Sequence, residues 1–135
     1  MLISHLFEYI RHFTKDSKVS VPSLMMPFYA FCWEIGNYIF LSEGNNISIC
    51  VYGFCNSDDA EKIISLPYDD AVREYYLVLL RKQIRGEVVI PDIVCGSIVN
   101  AVRSKNFAVG KWKELGAKKV LYHKAKMNKF YQISI

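Results

Sequence analysis

The sequence contains no C-x-x-C pair, no H-E-x-x-H, no G-x-S-x-G and no G-x-x-x-x-G-K-[ST]. These absences leave a zinc peptidase, a nucleophile-elbow hydrolase and a Walker-type NTPase without support. Its four cysteines, Cys32, Cys50, Cys55 and Cys95, lie in apolar stretches and show no ligand-like spacing to His5, His12 or His123. They are expected to be free thiols acting as small hydrophobes, with no disulfide and no metal site. No apolar run reaches the roughly 18 residues that a membrane span needs. The longest, from Leu24 to Ile35, is broken by Pro27 and Glu34. The start, Met1-Leu2-Ile3-Ser4-His5, has no basic segment ahead of an apolar one, so a cytoplasmic location is expected. No repeat, low-complexity tract or linker interrupts the chain, and residues 1–135 are expected to form a single domain.

What is present is the composition of a packed globule. Of 135 residues, 52% are hydrophobic and 22% charged, which supports one hydrophobic core and excludes general disorder. The net charge of +4 conceals an asymmetry. Residues 1–102 hold eight Lys or Arg against twelve Asp or Glu, whereas residues 103–135 hold nine against Glu114 alone. A basic block of this kind suits cofactor phosphates, an acidic carrier protein or nucleic acid, and equally a solvated lysine surface.

Hydrophobic spacing predicts an amphipathic helix from Leu2 to about His12, then a second, apolar helix capped by Ser23. That helix tolerates Pro27 in its first turn, carries Phe28, Phe31, Trp33 and Ile35 inward, and stops at Gly36-Asn37. Tyr38 to Glu43 and Ile47 to Phe54, separated by Gly44-Asn45-Asn46, predict an antiparallel hairpin. Asp58 and Glu61 have capping-box spacing for a short helix ending before Leu66-Pro67. Asp69 and Asp70 open a longer one that is predicted to run to Arg85-Gly86. Glu87 to Val94 reads as a buried strand, in which Pro91 predicts a bulge or a place where neighbouring strands part. A helical pattern follows from Ile98 to Gly116, in one piece or two, and Lys118 to Lys124 with Lys129 to Ile135 form a terminal hairpin.

Phe107-Ala108-Val109-Gly110-Lys111-Trp112-Lys113-Glu114-Leu115-Gly116-Ala117, followed by two strands, resembles the helix, Leu-Gly turn and closing hairpin of the GNAT acyltransferase fold. The resemblance implies an α/β domain: a GNAT-like mixed sheet flanked by helices and ending in a β-hairpin, with strands that splay to admit an acyl thioester. The family's glycine-rich pyrophosphate loop does not occur in the sequence. One branch without that loop, the RTX-toxin-activating lysine acyltransferases, is weakly similar from about Leu24 to Asn106. Asn37-Tyr38-Ile39-Phe40-Leu41 resembles its first strand entry, and Val51-Tyr52-Gly53-Phe54-Cys55-Asn56-Ser57 its second strand and turn. Val89-Ile90-Pro91-Asp92-Ile93-Val94-Cys95-Gly96 resembles the strand that carries that branch's catalytic aspartate.

The resemblance implies transfer of an acyl group from acyl carrier protein or CoA to a protein lysine, with Asp92 as catalytic carboxylate. On physical grounds alone, a carboxylate in an apolar strand loses hydration and persists when paired, hydrogen-bonded or poised for proton transfer. The alternative reading makes Asp92 a cap for the helix that follows. Backbone N–H groups along Cys95, Gly96, Ser97, Ile98 and Val99 would hold the thioester oxygen. Lys111, Lys113, Lys118 and Lys119 would face an acidic donor. The branch's second catalytic residue, a histidine, aligns with Asp16 or Ser17 here; His12, about five residues earlier, is the candidate, and a surface helix-end role is its alternative. His5 and His123 carry no such expectation. No tightly bound cofactor is expected. The competing function class is a catalytically inactive GNAT-like accessory protein, of phage or mobile-element type, whose basic C-terminal region binds a protein or nucleic acid. In support of the latter, Tyr122, Phe130 and Tyr131 interleave with Lys119, Lys124, Lys126 and Lys129, a pattern that a half-buried hairpin also produces.

Overall fold

A computed structural model describes residues 8, 23–43, 46–96, 98–124 and 127–135, with side chains left aside at 23, 41–48, 93–96 and 98–105. The N-terminal helix and the Gly44-Asn45 turn expected from the sequence lie outside the described residues. A 3-10 turn, Ser23–Met25, leads into α1, Met26–Ile35. Strands β1, Tyr38–Glu43, and β2, Asn46–Cys55, follow, then helices α2, Ser57–Ser65, and α3, Tyr68–Leu80. The chain closes with β3, Val88–Gly96; α4, Ile98–Glu114; β4, Lys119–Lys124; and β5, Lys129–Ser134.

The five strands form one mixed sheet in chain order. Every neighbouring pair is antiparallel except β3 and β4, which are parallel and joined through α4. One face is covered by α1, α2 and α3, whose Phe28, Tyr29, Ile63, Tyr75 and Leu79 pack against Val51, Val88, Ile90, Leu121 and Phe130. The other is covered by α4, where Ala108 and Trp112 pack against Ile39, Tyr52, Phe54, Val89 and Val120. Strand alternation therefore divides β3 cleanly, Val88 and Ile90 toward one layer and Val89 toward the other. No helix among the described residues is long and apolar enough to cross a membrane.

Several local expectations are corrected. The α-helical part of the second segment starts after Met25, so the cap position falls on Met25, which offers no side-chain cap, in place of Ser23. Its buried side chains are Phe28, Tyr29 and Cys32, while Phe31 and Trp33 are half-buried and Ile35 is exposed. Positions 28, 29 and 32 share a stripe that 31 leaves, while Ile35, in phase with Phe28, is the last helical residue before the Gly36 cap. Gly36 ends the helix in the left-handed region, with φ of 76°. In α2 the cap is Asn56, whose Oδ1 accepts the Asp59 N–H at 2.8 Å, and Asp58 sits inside the first turn. Helix α3 stops at Leu80, short of Gly86. There Arg81 turns back to Asp59 at 3.1 Å and Lys82 takes φ of 56°, which releases the chain toward β3 and leaves Ile84 exposed. The pattern from Ile98 to Glu114 is a single helix.

Two glycines test this packing in opposite directions. A Cβ at Gly86 would come within 2.6 Å of the Cys55 carbonyl oxygen, whereas one at Gly110 meets nothing within 4 Å. Gly86→Ala is expected to destabilise the chain by about 1–3 kcal/mol. Gly110→Ala, in the exposed helix surface, is expected to stabilise it by roughly 0.5–1 kcal/mol. Urea midpoints at unchanged slope measure both.

Candidate functional site

Strand β3 is locked to β2 along its whole length but to β4 only at its beginning. The β3–β4 ladder consists of Val88 opposite Lys119 and Val89 opposite Val120, although β3 runs on to Gly96 and β4 to Lys124. The sheet forks at that point. On the other edge of β3, Val51 pairs with Ile93 and Tyr52 with Pro91, so Asp92 is the extra residue of a bulge. Pro91 has no N–H to offer a ladder and stands where the strand leaves β4, as its chemistry requires.

The bulge delivers Asp92 to the layer of α1 and α3. Tyr29, from α1, donates its hydroxyl to Oδ2 at 2.6 Å. Tyr75, from α3, donates to Oδ1, also at 2.6 Å. Two short bonds from neutral donors to one carboxylate are the means by which a burial site tolerates a charge. Loss of hydration raises the Asp92 pKa above the usual carboxylate range, and the two hydroxyls oppose that rise. Burial, followed by the adjacent carboxylate, pushes both tyrosine hydroxyls well up, so they stay protonated and donate. The Cys32 thiol is pushed up to about 12 by the same two causes and has no nucleophilic character at neutral pH.

A second cluster stands on the other branch of the fork. His123, on β4, lies with its ring 4.3 Å from that of Phe130 on β5, nearly parallel at 12°. Its Nε2 shares a 2.6 Å hydrogen bond with the Tyr68 hydroxyl from the start of α3. The Tyr75 ring is 5.5 Å from the imidazole, so one side chain touches both clusters. Burial lowers the His123 pKa and keeps the ring neutral.

Of the residues singled out by the sequence, Asp92 is thus placed at the fork. His12 and Ser97 lie outside the described residues. Cys95 and Gly96 continue the ladder with β2, opposite Ile49 and Ser48, and Ile98 and Val99 open α4. Lys111 is committed elsewhere: its Nζ bonds the Gly36 carbonyl at 3.0 Å and lies 5.9 Å from the Tyr52 ring centre. Lys113 and Lys118 are exposed. Lys118 and Lys119 stand at the paired end of the fork, bonding the Glu87 carbonyl through their backbone N–H groups. Four residues of strand, about 13 Å, separate that end from Asp92. The aromatic hairpin is occupied by itself, since Tyr131 is stacked by Tyr122 at 5.2 Å and covered by Lys124 at 4.7 Å. Among the described residues no group of His, Cys, Asp and Glu is arranged to hold a metal ion.

Sequence reasoning passed over Tyr29, Tyr68, Tyr75 and His123. Tyr75 was legible as a core position of α3, but its hydroxyl partner was not. The place of His123 depends on the parallel register of two strands separated by a helix, which no local pattern reveals. Comparison with protein families, curated proteins and solved structures finds no match for this chain.

The site makes two predictions. Tyr29→Phe is expected to cost about 1.5–3 kcal/mol, the worth of a hydrogen bond to a charged group, as read from urea unfolding at neutral pH. The sign for Asp92 follows from its raised pKa: its contribution is fully present below the unfolded carboxyl range and is lost as pH rises through the folded value. Asp92→Asn should therefore gain stability relative to the native chain as pH rises from about 4, levelling once Asp92 has ionised.

Proposed function

We propose that this chain is a GNAT-like acyltransferase that lodges an acyl thioester, carried by acyl carrier protein or CoA, in the fork between β3 and β4 and transfers the acyl group to a protein lysine. The observation that carries the reading is the end of the β3–β4 ladder at Val89 and Val120, with a bulged, tyrosine-held carboxylate just beyond it. The resemblance of residues 89–96 to the toxin-activating branch points to the same residue.

The chemistry is balanced by few parts. The lysine nitrogen attacks the thioester carbonyl, a C–N bond forms, the C–S bond breaks, the nitrogen loses a proton and the sulfur leaves as a thiol. Asp92 presents two oxygens, each using one lone pair on a tyrosine hydroxyl, which leaves acceptor capacity for an amine N–H. Its raised pKa makes it a stronger hydrogen-bond acceptor for that N–H than an exposed carboxylate, so it orients the amine. Of the expected cradle, Ile98 and Val99 at the start of α4 would supply backbone N–H groups to the carbonyl oxygen. Lys113 and Lys118, exposed near the end of α4 and the start of β4, would meet an acidic donor at long range.

A second reading has its own observation. Tyr29 and Tyr75 tie Asp92 to two helices, as a structural pin would, and Tyr75 is fully buried beside the fork. On that reading the chain is a GNAT-like binding module whose basic C-terminal region holds a protein or nucleic acid. Intact-mass analysis separates the two. Incubation with acyl-loaded carrier protein or acyl-CoA and a lysine-bearing acceptor is expected to add the acyl mass, and Asp92→Asn is expected to abolish it with the circular dichroism spectrum unchanged. Transfer that survives Asp92→Asn, or none from the native chain, contradicts the acyltransferase reading.

A further inference from the structure

The fork has two branches, and the acyl-transfer reading has so far used one. Counting from the last ladder pair, Val89 opposite Val120, Asp92 lies three residues along β3 and His123 three residues along β4. The two stand level, about 10 Å beyond the point where the strands part. They also share a face. Ile90 and Leu121, two residues before them, belong to the same core layer beneath α1 and α3, and Tyr75 contacts both. The only titratable imidazole among the described residues is therefore opposite the carboxylate.

We propose that His123, acting through the Tyr68 hydroxyl, is the proton-accepting partner of the fork, taking the position that the sequence resemblance gave to a histidine of the N-terminal segment. The proposal rests on the acyl-transfer reading. Its geometry is specific: Nε2 is 2.6 Å from the Tyr68 oxygen, and the ring plane is fixed against Phe130. In the tautomer that this role requires, the hydroxyl donates to Nε2 and the ring proton resides on Nδ1; burial keeps Tyr68 protonated and His123 neutral, as that tautomer demands. As the amine attacks, Tyr68 passes its proton to Nε2 and takes the proton that the nitrogen sheds. The amine N–H bond breaks and an Nε2–H bond forms. The imidazolium then returns that proton, again through Tyr68, to the departing sulfur, so that a thiol leaves and the neutral ring is restored.

The groups that face the imidazole are few. From α3 come Tyr68, with Asp69 beside it, and Tyr75; from β3 comes Asp92, behind the Tyr75 hydroxyl. From its own hairpin come Lys124 and, across the strand, Lys129, both exposed. None forms an ion pair with the ring, and burial alone accounts for its lowered pKa. Tyr68 is only half-buried, which gives the pair a route to an incoming substrate.

The test uses the full chain, octanoyl-CoA and octanoyl-loaded acyl carrier protein as donors, and a lysine peptide as acceptor, followed by mass across about pH 5 to 9. The native rate is expected to rise with pH along an acid limb whose midpoint lies below the ordinary histidine value of about 6.5. His123→Gln is expected to lower the turnover rate by about 10²–10⁴-fold and remove that limb, with the donor's KM unchanged. Tyr68→Phe keeps the buried ring in place and should lower turnover by a similar factor, with the imidazole pKa staying below about 6.5 because its cause, burial, is unchanged. A limb that survives His123→Gln, a limb that His12→Gln removes in its place, or full turnover in Tyr68→Phe overturns the proposal while leaving acyl transfer standing. No transfer by the native chain from either donor overturns both.

Discussion

A half-buried carboxylate set beside aromatic side chains has to be satisfied, and the manner in which Asp92 is satisfied organises the rest of the structure. Its two oxygens accept hydrogen bonds from the hydroxyls of Tyr29 and Tyr75, so one strand position ties α1 and α3 to β3 at the place where β3 leaves β4. The arrangement is over-determined. Pro91 removes a ladder donor, the bulge turns Asp92 toward the helices, and the helices arrive with hydroxyls at the required height. Leaving the carboxylate unpartnered in the same place would cost several kcal/mol. The fork is thus a stable feature of the sheet, with its open end held by helix-borne hydroxyls.

The same constraint explains why much of the fold was readable and part of the site was not. The strand hairpins announced themselves through β-branched and aromatic runs, and Pro91 marked both bulge and divergence, because these signals are local. The end of α3 was misread, since the apolar pattern continues to Ile84 while Arg81 is drawn back to Asp59 on another helix. The cap of α2 was misplaced by two residues because Asn56 and Asp58 carry equivalent chemistry and only geometry chooses. Tyr29 and Tyr75 are separated by 46 positions from each other along the chain and both read as core aromatics. Nothing local distinguishes a tyrosine that needs its hydroxyl from a phenylalanine in the same place. His123 is the sharpest case: its value lies in being level with Asp92, a relation created by a parallel pairing across a whole helix.

The basic C-terminal region resolves into parts with different fates. Lys111 closes the end of α1 through the Gly36 carbonyl, Lys124 covers Tyr131, and Lys113 and Lys118 remain in solvent. Long-range attraction of an acidic partner needs only the exposed charges, and the site itself then consists of neutral donors and one carboxylate.

The parting of β3 from β4 beneath Asp92 is the claim on which both the site and its chemistry stand. Cross-strand nuclear Overhauser contacts in isotopically labelled protein test it directly. Backbone contacts are expected between Val88 and Lys119 and between Val89 and Val120, and none between the backbones of Asp92 and His123. A continuous series of contacts running from Val88 to the end of β4 would contradict the account.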